Sequence, residues 1–316
     1  MKLSKDFKEI KGDASLRKFY RNTKKNSIII FANKKKNRNL LTYDAINKIL
    51  IRNKIIAPKL ISENYNKNYI EVQDLGNKTI YQTFVSNNLE NYFVFKKVIK
   101  VLNKMQLIKD KKVKNFRKNF YKIKEYENKI LLDEVRLFSN WYVPKKLTKN
   151  KINVFNYKFI KEVKLLLSKL KLKNDTFVHR DFHVSNLIIN SENQIGLIDN
   201  QDALIGNKAY DLASLIDDVR YKTSNTLKDK IYKYYLTTNK KIEVNKFKND
   251  FDILSVLRNL KIIGIFMRLA ERDKKKKYLK LIPYAWNIID NRMSKNKVFD
   301  NLKLLLISNF SKFIIK

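Results

Sequence analysis

The sequence predicts an α+β chain in two lobes: a small N-terminal β-sheet lobe and a larger, mostly helical C-terminal lobe. Three observations predict it. Runs rich in β-branched and aromatic residues, 27–32 (SIIIFA) and 69–74 (YIEVQD), read as strands near the N-terminus. From Thr79 onward, apolar residues recur at helical spacing over 79–105, 131–142, 158–172, 256–273 and 302–315. Residues 177–220 break that pattern with a polar loop and a hairpin, and the rest of the chain is organised around them.

That stretch begins with His179-Arg180-Asp181, and Asn186 follows Asp181 by five residues. This is the H-R-D-x-x-x-x-N spacing of a kinase catalytic loop. The spacing has a chemical reason: one carboxylate accepts a proton from the attacking hydroxyl, while an amide oxygen a short loop away helps hold a metal on the phosphates. Asp181 is the candidate base and Asn186 a candidate metal ligand. The apolar runs 187–189 and 195–198 flank the turn residues Asn190-Ser191-Glu192-Asn193, which argues a β-hairpin. The hairpin delivers Asp199, a second candidate ligand for Mg2+ at the phosphates. The bland alternative is a buried polar cluster at a strand end; loop, hairpin, second aspartate and the 210–213 segment together outweigh it.

Asp199-Asn200-Gln201-Asp202-Ala203, Gly206 and Tyr210-Asp211-Leu212-Ala213 carry a family resemblance. D-x-x-D-A and Y-D-L-A resemble the aminoglycoside phosphotransferase superfamily, where they stand in place of D-F-G and the activation segment; no A-P-E follows. Within it the chain is most similar to bacterial anomeric sugar kinases acting on N-acetylmuramate and N-acetylglucosamine in cell-wall recycling. The resemblance implies a bilobal protein-kinase-like fold, with 1–76 as a nucleotide-binding N-lobe and 77–316 as a catalytic and acceptor-binding C-lobe. It also implies ATP and Mg2+ as cofactors.

In chain order, 12–21 (GDASLRKFYR) is a small-residue turn between two strands, and such a turn can close over phosphates with its N–H groups. The resemblance adds weight, because G-D-A-S-x-R-x-Y/F-x-R opens these sugar kinases. Gly12, Ser15 and Arg17 are therefore expected nucleotide contacts. The strand 27–32 lacks the usual phosphate-binding lysine; either an arginine such as Arg17 or Arg21 replaces it or phosphate binding is weakened. Residues 40–50 read as the helix packed on the sheet. Strand 69–74 ends at a hinge near Leu75-Gly76, where the resemblance places Gln73 and Leu75 against the adenine.

The 79–105 segment puts Phe84, Phe93, Val94, Val98, Val101, Leu102 and Met105 on a buried face. In 131–142, Leu132, Val135 and Phe138 form the apolar face. Glu134 and Trp141 match an E-x-x-x-F-x-x-W-Y stretch of the resembled sugar kinases, so they are acceptor candidates; a core Trp and a surface Glu are the competing reading. The helix over 158–172 leads into the catalytic loop. His179 and His183, the two histidines, are expected to be structural, as too few ligands accompany them for a metal site. The resemblance implies that Asp211, in Tyr-Asp-Leu-Ala, braces the catalytic loop from a helix start, where a carboxylate also complements the dipole, so it is expected to be structural support, and Asp202 could touch acceptor or metal. Asn200 stands where relatives often carry an aromatic residue and is expected to loosen the packing under Asp199. Asp217 and Asp218 read as a solvated face.

Over 256–273, Arg258, Lys261, Arg268 and Arg272 fall on one helix face, which proposes an anion site. Arg258 and Arg268 are the acceptor candidates there, against the alternative of a solvated basic stripe. Gly264 in mid-helix costs about 1 kcal/mol relative to Ala, which predicts close packing around it.

Composition sets the class. The 316 residues, 44% hydrophobic, suffice for a large core. Sixty-nine basic against 30 acidic residues give a formal charge of +39. The lysines are spread along the chain instead of gathered in one arm, which reads as codon bias and not as a nucleic-acid footprint. There is no cysteine, hence no disulfide framework. No signal peptide or run of about 18 apolar residues appears, so a cytoplasmic enzyme without a membrane partner is expected. The reading is phosphoryl transfer from ATP to a small-molecule hydroxyl, by a monomer whose partners are nucleotide and sugar. A basic chain argues against an antibiotic polycation as acceptor, and the missing A-P-E against a protein. The rival class is a decayed kinase fold that binds nucleic acid or acts as a scaffold, suggested by +39 and the absent lysine.

Overall fold

A computed structural model describes residues 6–10, 17–33, 37–86 and 91–314. The chain forms two compact units, Met1–Lys124 with Phe177–Ile205, and Glu125–Thr176 with Gly206–Lys316. The polypeptide leaves the first unit, returns to it for the catalytic-loop sequence, and leaves again.

The first unit opens with strands β1 (Phe7–Ile10), β2 (Lys18–Asn22) and β3 (Ser27–Phe31), then helix α1 (Arg38–Arg52), then β4 (Leu60–Asn64) and β5 (Tyr69–Gln73). The strands form one antiparallel sheet in the order β1-β2-β3-β5-β4. Ile30, Ile70 and Val72 of the sheet pack with Leu40 and Tyr43 of α1, and Phe19 and Ile28 join them. Sheet and helix thus bury their apolar faces against each other. Helices α2 (Ile80–Ser86) and α3 (Asn91–Gln106) follow. On α3 the buried face is Phe95, Val98, Ile99, Leu102 and Met105. Phe93 is exposed, contrary to expectation: one hundred degrees per residue places Phe95, not Phe93, in register with Val98, Ile99 and Leu102. A short hairpin, β6 (Lys112–Lys114) with β7 (Phe120–Lys122), ends this passage.

In the second unit α4 (Asn128–Leu137) continues into a π-helical turn, Phe138–Tyr142. Its buried side is Leu131, Val135 and Phe138, one residue from the expected Leu132. Helix α5 (Lys149–Ser168) begins nine residues before the expected 158, and β8 (Asn174–Val178) carries the chain back. There β9 (Leu187–Ile189) and β10 (Ile195–Leu197) form the expected antiparallel hairpin. Asn190 closes its turn by accepting from the N–H groups of Glu192 and Gln194. β11 (Leu204–Asn207) leads out to α6 (Ala209–Ile216), α7 (Asn225–Thr237), α8 (Val244–Glu271), α9 (Ile282–Met293) and α10 (Asp300–Ile314).

The core of the second unit is aromatic. Phe138, Tyr142, Phe155, Phe159, Trp286 and Phe310 stack at ring-centroid separations of 5.2 to 6.4 Å, and Trp286 donates its indole N–H to Tyr142 at 3.1 Å. Gly264 of α8 lies against the backbone where α4 becomes a π-turn: a Cβ there would sit 2.2 Å from the carbonyl carbon of Leu137. The close packing expected of a mid-helix glycine is present. Asp217 and Asp218 are buried, at 1% and 2% exposure, and do not form a solvated face. Asp217 accepts from Lys228, Arg292 and Ser255 at 2.6 to 2.9 Å, because a buried carboxylate needs paired charge to be tolerated.

Candidate active site

The residues of the catalytic-loop sequence meet within the first unit. Leu187 pairs with Leu197 across the hairpin, so the residues that flank its open end, Asn186 and Ile198, become neighbours. Ile198 donates its N–H to the carbonyl of Asn186 at 3.1 Å, which sets Asp199 beside Asn186. Asn186 donates its side-chain amide to the carbonyl of Asp181 at 3.0 Å, and its own N–H to the carbonyl of His183 at 2.9 Å. Asp181 is therefore hydrogen-bonded to Asn186 and Asn186 to Ile198, the residue that precedes Asp199.

Two backbones in this region are left-handed without being glycine: Arg180 at φ 74° and Asp199 at φ 63°. Such conformations cost free energy and persist where the surroundings hold them. Arg180 is held by donating to the carbonyl of Asp202 at 3.0 Å. His179 is buried, with Nε2 3.1 Å from the carbonyl of Ile198 and 2.8 Å from Oδ1 of Asn200. Asn200 is fully buried and also donates to Asn47 of α1 and to the carbonyl of Leu197. It ties the site together, contrary to the loosening expected, because an amide offers donors and an acceptor where a ring would offer only volume.

The nucleotide candidates divide. Gly12 and Ser15 lie outside the described residues. Arg17 reaches Asp199 at 2.5 Å and Gln201 at 2.8 Å. Arg21 pairs instead with Asp74 and donates to the carbonyl of Gly76 at 3.1 Å. Of the two arginines, only Arg17 contacts a candidate metal ligand. Gln73 donates its N–H to the carbonyl of Lys59, and Asp74 to that of Asn26, so both N–H groups are engaged; Leu75 is buried. Asp202 is exposed, and its Oδ2 accepts from Gln201 at 2.7 Å. Gln201 was missed in the sequence, although its place between Asp199 and Asp202 was a signal.

In the second unit Glu134 forms a nearly buried ion pair with Lys261 at 3.0 Å and accepts from the hydroxyl of Tyr126. The expected basic stripe therefore splits: Lys261 is neutralised, Arg272 pairs with Asp273, and Arg258 is 4% exposed with its Nη1 unpartnered among the described residues. Arg268 is half-buried; burial, then the neighbouring Arg272, lowers its pKa. Trp141 is half-buried on the π-turn, outside the aromatic core. Asp211 is buried in the first turn of α6, where its charge complements the helix dipole.

The donor set suits Mg2+. Asn186 has its amide nitrogen engaged, which leaves the oxygen for a cation, and Asp199 is 38% exposed at its side chain with Oδ2 unbonded among the described residues. One carboxylate and one amide oxygen match an ion that takes phosphate oxygens and water for its remaining positions. Among the described residues no three His, Cys, Asp or Glu side chains gather into a protein-only metal site.

A family model described as phosphotransferase enzyme family matches residues 6–242. The chain belongs to the phosphotransferase enzyme family. This bears out the resemblance to aminoglycoside phosphotransferases and makes the chain a small-molecule kinase in class. Similar sequences include the N-acetylmuramate/N-acetylglucosamine kinase of Neisseria meningitidis, 28% identical over 74% of this chain and 69% of that protein. The protein of the same name from Pseudomonas putida is 26% identical over 86% of this chain and 78% of its own length. Among solved structures, Plasmodium vivax ethanolamine kinase superposes with a TM-score of 0.63 at 15% identity, covering 92% of this chain and 84% of that one. The GDP and kanamycin complex of APH(2")-IIia gives 0.61 at 10% identity, covering 93% and 95%. These likenesses establish the kinase-like α+β fold. No helix among the described residues is long and apolar enough to cross a membrane.

Proposed function

We propose that the protein transfers the γ-phosphoryl group of ATP to the anomeric hydroxyl of an N-acetyl amino sugar of the N-acetylmuramate/N-acetylglucosamine type, in cytoplasmic cell-wall recycling. The observation that carries the transfer is that hydrogen bonds tie Asn186 to Asp181 and to Ile198, the residue before Asp199, within one unit. The sugar acceptor is supported by the names of the relatives, and nucleotide binding by the GDP complex among the structural neighbours.

Asp181 orients the acceptor hydroxyl and takes its proton as the phosphorus–oxygen bond forms. Asn186 and Asp199 hold Mg2+, which when bound neutralises charge on the phosphates. The left-handed backbone of Arg180 and the buried His179 fix the loop, so that little reorganisation is needed at the moment of reaction. Residues 1–76 serve the nucleotide, with Gly12, Ser15, Arg17, Gln73 and Leu75 as contacts, and residues 77–316 serve catalysis and acceptor. On the acceptor side, Trp141 offers a ring face to a pyranose. Arg258 and Arg268 offer guanidinium groups to an anionic substituent, and a buried guanidinium with an unpartnered donor favours an acceptor that carries one.

The test is a phosphate-transfer assay with ATP and Mg2+ over amino sugars and their acid derivatives. Transfer to N-acetylmuramate or N-acetylglucosamine at C1 is expected. Transfer confined to other alcohols would replace the acceptor, and none to any small molecule would sink the reading.

A further inference from the structure

We infer that the groove between the end of α1, helix α3 and the β9–β10 hairpin is a second ligand site, which takes a small organic anion with an aliphatic tail, of the medium-chain carboxylate class. The groove has a volume of about 270 Å3. Ile55, Ile56, Val101 and Ile195 give it an aliphatic floor, and Lys54 and Lys104 stand at its exposed rim. All of these residues lie within the first unit, and none belongs to the catalytic loop.

The end of α1 builds one wall. Lys54 donates its N–H to the carbonyl of Ile51, and Ile55 donates to that of Leu50, each at 2.9 Å, which is the paired closure of a Schellman turn. The left-handed position of that turn, where glycine is usual, is held by Lys54 at φ 57°. The turn sends Ile55 inward, where it is buried, and Ile56 bridges to Gly196 of the hairpin. Leu197 donates to the carbonyl of Ile56 at 2.8 Å, and a Cβ on Gly196 would lie 3.1 Å from Cγ2 of Ile56. The hairpin is thus pressed against the tail of α1 with the buried Ile195 beside it. Helix α3 adds Val101 and Lys104, whose ammonium group donates to the carbonyl of Lys54 at 2.6 Å.

Charge and volume select the occupant. Lys97 and Lys100 stand one and two turns before Lys104 on the exposed face of α3, and Lys97 reaches the carbonyl of Asn193 on the hairpin. Among the described residues none of Lys54, Lys97, Lys100 and Lys104 pairs with a carboxylate. The acidic residues closest along the chain, Asp110 and Glu192, lie outside the lining. Four ammonium groups over an aliphatic floor suit a ligand with an anionic head and an apolar tail. At about 30 Å3 for a water-sized group, the groove has room for roughly nine of them, enough for an eight-carbon carboxylate and too few for a nucleotide.

Octanoate is the probe, with acetate and octanol as the headgroup-only and tail-only controls, and methyl NMR of the isoleucines and valines of the full chain is the readout. Because a chain of net charge +39 attracts any anion weakly, the dependence on the tail is what decides. Octanoate is expected to shift the methyl signals of Ile55, Val101 and Ile195, and to bind at least about tenfold more tightly than acetate or octanol. Val101→Trp should fill the groove and abolish the binding, whereas Lys161→Gln on the exposed side of α5 should leave it unchanged. Lys54→Gly carries the sharpest test: glycine accepts the positive φ freely, so the variant should unfold at a higher temperature, yet bind octanoate at least about threefold more weakly. Lower stability and weaker binding together in Lys54→Gly would mark a merely structural lysine and overturn the inference. So would acetate or octanol binding as tightly as octanoate, octanoate binding unaltered in Val101→Trp, or adsorption to anionic vesicles without binding of free octanoate.

Discussion

Asn200 donates its side-chain amide to Oδ1 of Asn47 at 2.8 Å, and both residues are buried. Asn47 passes the chain on to the carbonyl of Pro58 at 2.9 Å, while Oδ1 of Asn200 lies 2.8 Å from Nε2 of His179. Helix α1, the hairpin end that carries Asp199 and the catalytic loop thus share one buried polar network, and such networks are costly when half satisfied. Asn200→Leu takes the donor from Oδ1 of Asn47 and leaves Nε2 of His179 with the carbonyl of Ile198, so it should cost about 1–3 kcal/mol, the usual cost of a buried group left unpaired. Urea unfolding measures it. Asn47→Leu combined with Asn200→Leu should cost less than the sum of the two, and strict additivity would mean that the residues do not act together.

In the proposed transfer Asp181 takes the proton, and its backbone carbonyl anchors Asn186 independently of its side chain. Asp181→Asn keeps that anchor and removes the base. Its kcat should fall by about 10²- to 10⁴-fold, the usual contribution of general acid–base catalysis. Nucleotide affinity, measured by calorimetry, should remain within about twofold of wild type. Unchanged turnover would take the base assignment away from this residue.

The buried carboxylate of Asp217 predicts how stability responds to acid. Burial alone would raise its pKa, but the charges of Arg292 and Lys228, with hydrogen bonds from Arg292 and Ser255, hold it well below the ordinary range. A carboxyl depressed in the folded state contributes its stability above the unfolded value of about 3.9 and loses it as pH falls through the folded pKa. Stability should therefore decline on the acid side below about pH 4, while between neutral pH and that point the contribution of this group is full and constant. Asp217→Asn should flatten the acid decline and cost about 3–5 kcal/mol near neutrality, because it takes the paired carboxylate from the buried Lys228 and the partly buried Arg292. Thermal unfolding across the acid range reads both; an unaltered slope in the variant would show that other carboxylates govern the acid limb.

The hairpin and the loop were legible because short, local signals specify them: the turn residues at 190–193 and the fixed offset from Asp181 to Asn186 lie within a few residues of the backbone they shape. Helix starts were not. α8 begins at Val244, twelve residues before the expected 256, and its first half contains the buried polar residues Asp250 and Asp252. Asp250 accepts from the N–H groups of Lys171 and Leu172 and from Asn207, residues distant in sequence, so no periodicity could reveal that it belongs inside. The same holds for Lys261, whose neutralising partner Glu134 lies on another helix, and for Arg17, whose partners Asp199 and Gln201 lie at the far end of the hairpin, more than 180 residues on. Side chains whose partners lie far away in sequence show only their type until the chain is folded.

Gly264 puts a number on how tightly α4 and α8 are pressed together. Substituting alanine would gain about 1 kcal/mol of helix propensity, yet its Cβ would fall 2.2 Å from the carbonyl carbon of Leu137 and 2.4 Å from the nitrogen of Phe138. Backbone, not a flexible side-chain tip, would have to move. Overpacking of this kind costs about 1–3 kcal/mol or more, so Gly264→Ala should be net destabilised despite the better helix former. The displaced segment is the one that leads into the π-turn bearing Trp141, with Glu134 one turn earlier on α4. The variant should therefore show a raised KM for the acceptor with little change in KM for ATP. A lowered unfolding temperature together with that split would tie acceptor geometry to this helix contact; equal changes in both KM values would detach Trp141 and Glu134 from the acceptor site.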